Sequence, residues 1–306
     1  MIKIFLLTGF LGAGKTTLLK GLLKSYSGSK IGVVVNEFGE INVDARLIES
    51  NGIQLAELSN GSIFCACIKD KFVDSLVELS HMDLEYLFIE ASGLADPANM
   101  GQILEGIKAH TKGRYRMEGT ICVVDGHNFL ELMEILPALE NQVAYASAVI
   151  VNKADMIDDQ RVEEIKDAIR SINQAAPIYI TAYCDVDIRT ITDQFQMPDK
   201  KPAESTNTFE SRPKSFIVTA DSLLSVEGLE AFLQAIAADS YRIKGFAHTD
   251  KGILEVSGVV DDIALTNWDK PADRTEIVII SSVGIRMMSQ ILQASKEHLG
   301  GSLRLK

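Results

Sequence analysis

Residues 9 to 16 read Gly-Phe-Leu-Gly-Ala-Gly-Lys-Thr, directly after the mostly apolar run from Ile2 to Leu7. Gly9, Gly14, Lys15 and Thr16 match the phosphate-binding loop pattern G-x-x-x-x-G-K-[ST]. Glycines let the backbone curl so that several N–H groups converge on one anion. A helix opening near Lys15 adds unpaired N–H donors and the positive end of its dipole. The spacing therefore assigns a nucleotide cradle to Gly9, Gly12, Ala13, Gly14, Lys15, Thr16 and Thr17. Lys15 would reach the β- and γ-phosphates, and the Thr16 hydroxyl would ligate Mg²⁺.

A second motif selects the base. The strand-like run Ala148 to Val151 leads into Asn152-Lys153-Ala154-Asp155, an N-K-x-D pattern at a strand end. A carboxylate at Asp155 can accept from both N1–H and the 2-amino group of guanine, a pair that adenine does not offer. Lys153 can lie along the ribose and base plane, and Asn152 can tie the loop. The plainer reading is a solvated loop before a helix. Downstream of a phosphate loop, the pattern points to GTP and GDP over ATP.

Further acids stand at strand ends. Glu90 closes the run Tyr86 to Ile89 and is followed by Ala91-Ser92-Gly93. This suits a carboxylate near the water shell of Mg²⁺ and a Gly93 N–H free to sense the γ-phosphate. Asp44 sits where a loop could contact Mg²⁺, although a surface turn would explain it as well. The catalytic set is thus Lys15, Thr16, Glu90 and Asp44. No arginine finger or positioned glutamine is identifiable, so intrinsic hydrolysis should be slow.

Cys65 and Cys67 form a Cys-x-Cys pair. Two thiols at i and i+2 can meet on one borderline cation in a loop or turn. They could equally be two small half-buried residues, or a labile disulfide. Glu37 and Glu40 follow the second strand-like run, Ile31 to Val35, at the end of the sheet that holds the phosphate loop. Two thiolates and one carboxylate would leave a coordination position open, which suits transfer better than a closed structural site. Among the five histidines, His127 is the one placed at a strand end, where an added ligand could sit. Cys122 lies in an apolar run and reads as an inert core thiol. Cys184 falls in a loop near the nucleotide and receives no role.

The elements that must position these groups follow from the pattern. Apolar runs at Ile2 to Leu7, Ile31 to Val35, Tyr86 to Ile89, Thr120 to Val124, Ala148 to Val151 and Ile178 to Ile180 alternate with amphipathic segments. Those segments include Thr16 to Lys24, Phe72 to Leu79 and Val162 to Ile172. Continuous apolar strands separated by helices predict an α/β fold, a P-loop NTPase with a mostly parallel sheet covered on both faces. Ligands in such folds bind beyond the carboxyl ends of the strands. From Phe195 to Lys214 three prolines and few large apolar residues mark a linker. The domains are placed at 1–197 for the GTPase, 198–213 for the linker and 214–306 for a small α+β domain. In the last of these, strands are expected at Ser215 to Ala220, Tyr241 to Ala247, Gly252 to Ser257 and Glu276 to Ser281. Helices are expected at Ser225 to Ala237 and Arg286 to Glu297.

Of 306 residues, 46% are hydrophobic and 24% charged, enough to bury a substantial core. The net charge of −12 argues against nucleic acid or an anionic membrane as partner. Four cysteines do not make a disulfide framework in a chain of this size, and no apolar run approaches membrane-spanning length. A cytoplasmic location is expected.

Five ordered motifs resemble one family. They are Gly9 to Thr17, Asn36-Glu37-Phe38-Gly39-Glu40, Glu57-Leu58-Ser59-Asn60-Gly61 followed by cysteines, Glu90 to Pro97, and Asn152 to Asp155. The set resembles the CobW-like P-loop GTPases, relatives of the nickel chaperones UreG and HypB. The run Arg242-Ile243-Lys244-Gly245-Phe246 resembles that family's C-terminal domain more loosely. The resemblance implies a metallochaperone whose cysteine motif binds Zn²⁺ or Co²⁺ and whose GTP hydrolysis is linked to delivery. It implies as client a metalloprotein, or a cofactor pathway. A GTPase that reactivates a corrinoid (cobalamin) enzyme without metal transfer is the alternative. The family pattern G-C-x-C-C is altered here. Ser62 and Phe64 occupy two cysteine places, Cys65 fills the third, and Cys67 is additional. On this resemblance Cys65, Cys67 and Glu37 are the metal ligands.

Overall fold

The computed structural model describes residues 1–35, 54–57, 66–196, 213–259, 262–269 and 274–305. Glu37, Asp44 and Cys65 lie outside the described residues, as does nearly all of the expected linker. The chain divides into two compact units, Met1–Glu210 and Ser211–Lys306.

The first unit is built on seven strands: β1 (Ile2–Gly9), β2 (Ile31–Val35), β3 (Gln54–Glu57), β4 (Tyr86–Glu90), β5 (Tyr115–Asp125), β6 (Ala148–Asn152) and β7 (Ile178–Ile180). They pair in the order β3-β2-β4-β1-β5-β6-β7, and every pairing is parallel. Strand β3 and the first residues of β5 were not foreseen. The segment before Thr120 is polar and half-exposed, so it carries no continuous apolar signal.

Alternation along each strand divides the core in two. Phe5 and Leu7 of β1 face one layer, with Val33 and Phe88, while Ile2, Ile4 and Leu6 face the other, with Val34, Leu87 and Ile89. Helix α1 (Lys15–Ser25) covers the first face through Leu18, Leu19, Leu22 and Leu23, all buried. Each such leucine contributes roughly 1.5–3 kcal/mol. Helix α2 (Ala66–Ser80) covers the other face through Phe72 and Leu76, with α3 (Met100–Gly106) beside it through Met100 and Ile103. Helices α4 (Phe129–Ile135), α5 (Pro137–Ala144), α6 (Asp159–Ile172) and α7 (Ile188–Asp193) complete the unit. From β1 the chain runs outward to β2 and β3, returns to β4, then crosses to β5 and beyond. The reversal places a crevice above the carboxyl ends of β1, β4 and β5.

The second unit is a six-stranded antiparallel sheet, ordered β11-β10-β9-β12-β8-β13. Its strands are β8 (Ser215–Ala220), β9 (Ser240–Thr249), β10 (Gly252–Val259), β11 (Asp262–Asn267), β12 (Thr275–Ser281) and β13 (Arg304–Leu305). Helices α8 (Val226–Ala237) and α9 (Met287–Leu299) pack on one face, burying Phe232, Ile236 and Ile291 against Val218, Ile243 and Ile277. Among the described residues no helix is long and apolar enough to cross a membrane.

Candidate functional site

Register aligns the strand ends. Leu7 of β1 lies opposite Glu90 of β4, Gly9 opposite Val123 of β5, and Asp125 of β5 opposite Asn152 of β6. The phosphate loop, the Glu90 segment and the N-K-x-D segment therefore emerge from one edge of one sheet.

The loop leaves β1 and enters α1 at Gly14, whose φ of 115° lies in the left-handed region that favours glycine. No side chain caps this helix, and its first turn holds no acid. Its first N–H groups have no partner within the helix, so the turn is open to an anion. A Cβ at Gly14 would lie 2.4 Å from Asn152 Nδ2 and 3.0 Å from Cys184 Sγ. The Lys15 side chain folds back over the loop and donates from Nζ to the Phe10 carbonyl at 3.0 Å. Lys15 is only 4% exposed. A buried ammonium on one carbonyl keeps donor capacity for a phosphate.

Thr16 Oγ1 donates to Glu90 Oε1 at 2.8 Å, across 74 residues of sequence. Glu90 is fully buried. A hydroxyl and a carboxylate in contact at a strand edge are hard oxygen donors of the kind that suits Mg²⁺. Beyond Glu90 the chain passes against the phosphate loop. A Cβ at Gly93 would meet the Leu11 backbone nitrogen at 2.4 Å. Gln142 of α5, itself buried, donates to the Gly93 carbonyl at 3.2 Å and the Ala95 carbonyl at 2.9 Å. Its neighbour Asn141 donates to Asp96 Oδ2 at 3.0 Å.

Asn152 closes the other side. Its Nδ2 donates to the Ala13 carbonyl at 2.8 Å, and its Oδ1 accepts from the Cys184 backbone N–H at 2.8 Å. One amide thus ties the phosphate loop to the loop after β7. Lys153 takes a left-handed φ of 62° and pairs with Asp125 Oδ2 at 2.7 Å. Asp155 is exposed in the short helical turn Ala154–Met156.

The structure thus brings Gly9, Gly12, Ala13, Gly14, Lys15, Thr16 and Thr17 together with Glu90, Gly93, Asn152, Lys153 and Asp155. Cys184 was assigned no role, yet it lies against Gly14, with Sγ 3.4 Å from the Gly14 carbonyl oxygen. Burial pushes its thiol up to about 12, and that of Cys122 likewise to about 12. Both thiols are thus kept in the protonated form at neutral pH, which is the weaker nucleophile and metal ligand. Asp125 and Gln142 were also missed. Asp125 closes the apolar run Ile121 to Val124 and could have been found by the strand-end argument that singled out Glu90. Nothing in the sequence around Gln142 signals its role.

Of the three expected metal ligands, Cys67 alone is among the described residues. Cys67 lies in the first turn of α2, so its backbone is helical, not the loop or turn considered for the pair. No group of three or more His, Cys, Asp or Glu residues able to hold a metal occurs among the described residues. His127 is exposed and meets no such group.

Residues 3–180 match the family model described as the CobW/HypB/UreG nucleotide-binding domain. The chain belongs to the CobW/HypB/UreG family of P-loop GTPases. Residues 214–304 match the cobalamin synthesis protein cobW C-terminal domain. Over 322 aligned positions the chain is 30% identical to the zinc chaperone YjiA of Escherichia coli, covering 96% of this chain and 97% of the relative. It is 27% identical to the zinc-regulated GTPase metalloprotein activator 1 of Dictyostelium discoideum, over 80% of this chain and 62% of that one. Its fold is similar to the crystal structure of Zn(II)-bound YjiA GTPase from E. coli. That match has a TM-score of 0.50 at 25% identity, over 97% of this chain and 98% of that chain.

Proposed function

We propose that this GTPase is a metal chaperone that binds Zn²⁺ through Cys65, Cys67 and Glu37 and passes it to a client metalloprotein. The observation that carries the nucleotide half is the amide of Asn152, which joins Ala13 to the loop after β7. That tie makes the phosphate loop and the N-K-x-D segment one site. Two relatives named for zinc support Zn²⁺ over Co²⁺.

In this reading the α-to-γ phosphates lie over Gly12 to Thr17, and Lys15 exchanges the Phe10 carbonyl for the β- and γ-phosphates. Thr16, through its hydroxyl, and Glu90, through ordered water, would hold Mg²⁺. When bound, Mg²⁺ neutralises charge that develops on the phosphates. Gly93 offers its N–H to the γ-phosphate, and its contact with Leu11 ties that event to the phosphate loop. Asp155 reads N1–H and the 2-amino group of guanine. Asp44 would complete the Mg²⁺ environment. Cys65 and Cys67 fall in sequence between 37–44 and 92–96, the two segments taken to respond to the γ-phosphate, so metal affinity should differ between GTP and GDP states. A difference in contacts of that kind is what a switch requires.

The test is Zn²⁺ and Co²⁺ titration of the metal-free protein with Mg²⁺ and either GDP or a non-hydrolysable GTP analogue, alongside the double variant Cys65→Ser/Cys67→Ser. Tight binding that needs both thiols and changes with nucleotide supports the chaperone. Weak, thiol-independent binding overturns it and leaves a regulatory GTPase, such as one serving a corrinoid enzyme.

A further inference from the structure

Asp125 stands at the end of β5, opposite Asn152 in the parallel ladder. Its side chain is 1% exposed and that of Lys153 is 27% exposed. The carboxylate is held on both oxygens. Oδ1 accepts from the His127 backbone N–H at 3.1 Å, and Oδ2 accepts from Asn128 Nδ2 at 3.3 Å and Lys153 Nζ at 2.7 Å. The Gly126 N–H bonds to the Asn152 carbonyl at 2.9 Å, locking the two strand ends together.

A buried carboxylate has to be compensated by donors, and a cation is the strongest available. Here the cation comes from within the motif that reads the base. A lysine has four rotatable stem bonds, and a free one would lose much of that freedom on lying along a nucleotide. The left-handed backbone at Lys153 sets its direction, and the carboxylate of Asp125 fixes its far end. We propose that Asp125 is a positioning residue for the guanine nucleotide, acting through Lys153, which it holds in place before the nucleotide arrives. The inference rests on reading 152–155 as the guanine-recognising segment. It adds a residue outside that segment whose whole effect passes through one side chain.

The experiment is a double-mutant cycle on GDP affinity, measured by calorimetry with Mg²⁺, for wild type, Asp125→Asn, Lys153→Met and the double variant. ADP and inorganic pyrophosphate serve as further probes. Asp125→Asn keeps shape and removes charge. It should weaken GDP binding by about ten- to a hundredfold and leave pyrophosphate binding, which needs only the phosphate loop, unchanged. In the double variant the loss should equal that of Lys153→Met alone. If Lys153→Met does not fold, because it leaves a buried carboxylate without its cation, Lys153→Arg replaces it in the cycle. In that cycle, too, Asp125→Asn should add no further loss. GDP binding by Asp125→Asn within twofold of wild type, additive losses, or a parallel loss of pyrophosphate binding would each overturn the proposal. A wild-type protein that binds pyrophosphate but does not prefer GDP to ADP would instead overturn the reading of 152–155, which separates the two failures.

Discussion

Replacing Gly93 by alanine probes the coupling between the segment after β4 and the phosphate loop. The added Cβ would lie 2.4 Å from the Leu11 backbone nitrogen, 2.5 Å from its Cγ and 2.7 Å from its Cδ2. An ordinary contact needs about 3.5 Å, so something must give by roughly 1 Å. Leu11 cannot yield by a rotamer change alone, because its main-chain atom is the nearest one. Gln142 holds Gly93 from behind through the Gly93 and Ala95 carbonyls, so the displacement falls on the phosphate loop. Overpacking of this kind costs about 1–3 kcal/mol. For a unit of this size each kcal/mol lowers the midpoint of thermal unfolding by about 2–4 °C. A shift of about 1 Å at a catalytic loop can cost a hundredfold in rate. Gly93→Ala should therefore melt several degrees lower and turn over GTP about a hundred times more slowly. Steady-state phosphate release at saturating GTP, paired with a thermal melt, makes the measurement. Wild-type turnover together with a wild-type melting point would refute the claim that these two segments are in forced contact.

Thr16→Ala removes the hydroxyl that bonds Glu90 and should lower Mg²⁺-dependent GTP turnover by about a hundredfold; a phosphate-release assay across Mg²⁺ concentrations would show it, and an unchanged Mg²⁺ response would count against the assignment. Gly14→Ala combines a strained φ with a clash on Asn152 Nδ2; it should cost about 1–3 kcal/mol and abolish GDP binding by calorimetry, and retained binding would show that the Asn152 tie is dispensable. The thiols of Cys122 and Cys184 are held neutral by burial, pushed up to about 12 in the fold from an ordinary value of 9.0. Their contribution to stability is therefore whole below pH 9 and is lost as pH rises towards 12, at most about 1.4 kcal/mol per thiol per pH unit. Denaturant midpoints between pH 8 and 10 should fall, less steeply for Cys184→Ser than for wild type, and a midpoint independent of pH would contradict the burial argument.

The sequence alone determined the elements whose signal is local. Largely apolar runs announced the parallel strands β1, β2, β4 and β6, because a strand buried on both faces takes apolar residues at nearly every position. Gly14, Lys15 and Thr16 announced the phosphate loop, because few residue types permit a left-handed entry into a helix that faces an anion. Asn152 to Asp155 could be placed at a strand end for the same reason. Tertiary structure decided what depends on distant partners. The bond from Thr16 to Glu90 spans 74 residues, and that from Asn152 to Ala13 spans 139. No spacing rule in a linear chain encodes such distances. They arise because the strand order β4-β1-β5-β6 brings the ends of β4 and β6 to the same sheet edge as the phosphate loop after β1. Gln142 sits on an ordinary amphipathic helix and gains its meaning only from the two carbonyls it meets. Cys184 and Asp125 followed the same logic: a strand-end acid could be seen at Asp125, but only the neighbours assigned it to Lys153 and Cys184 to the phosphate loop.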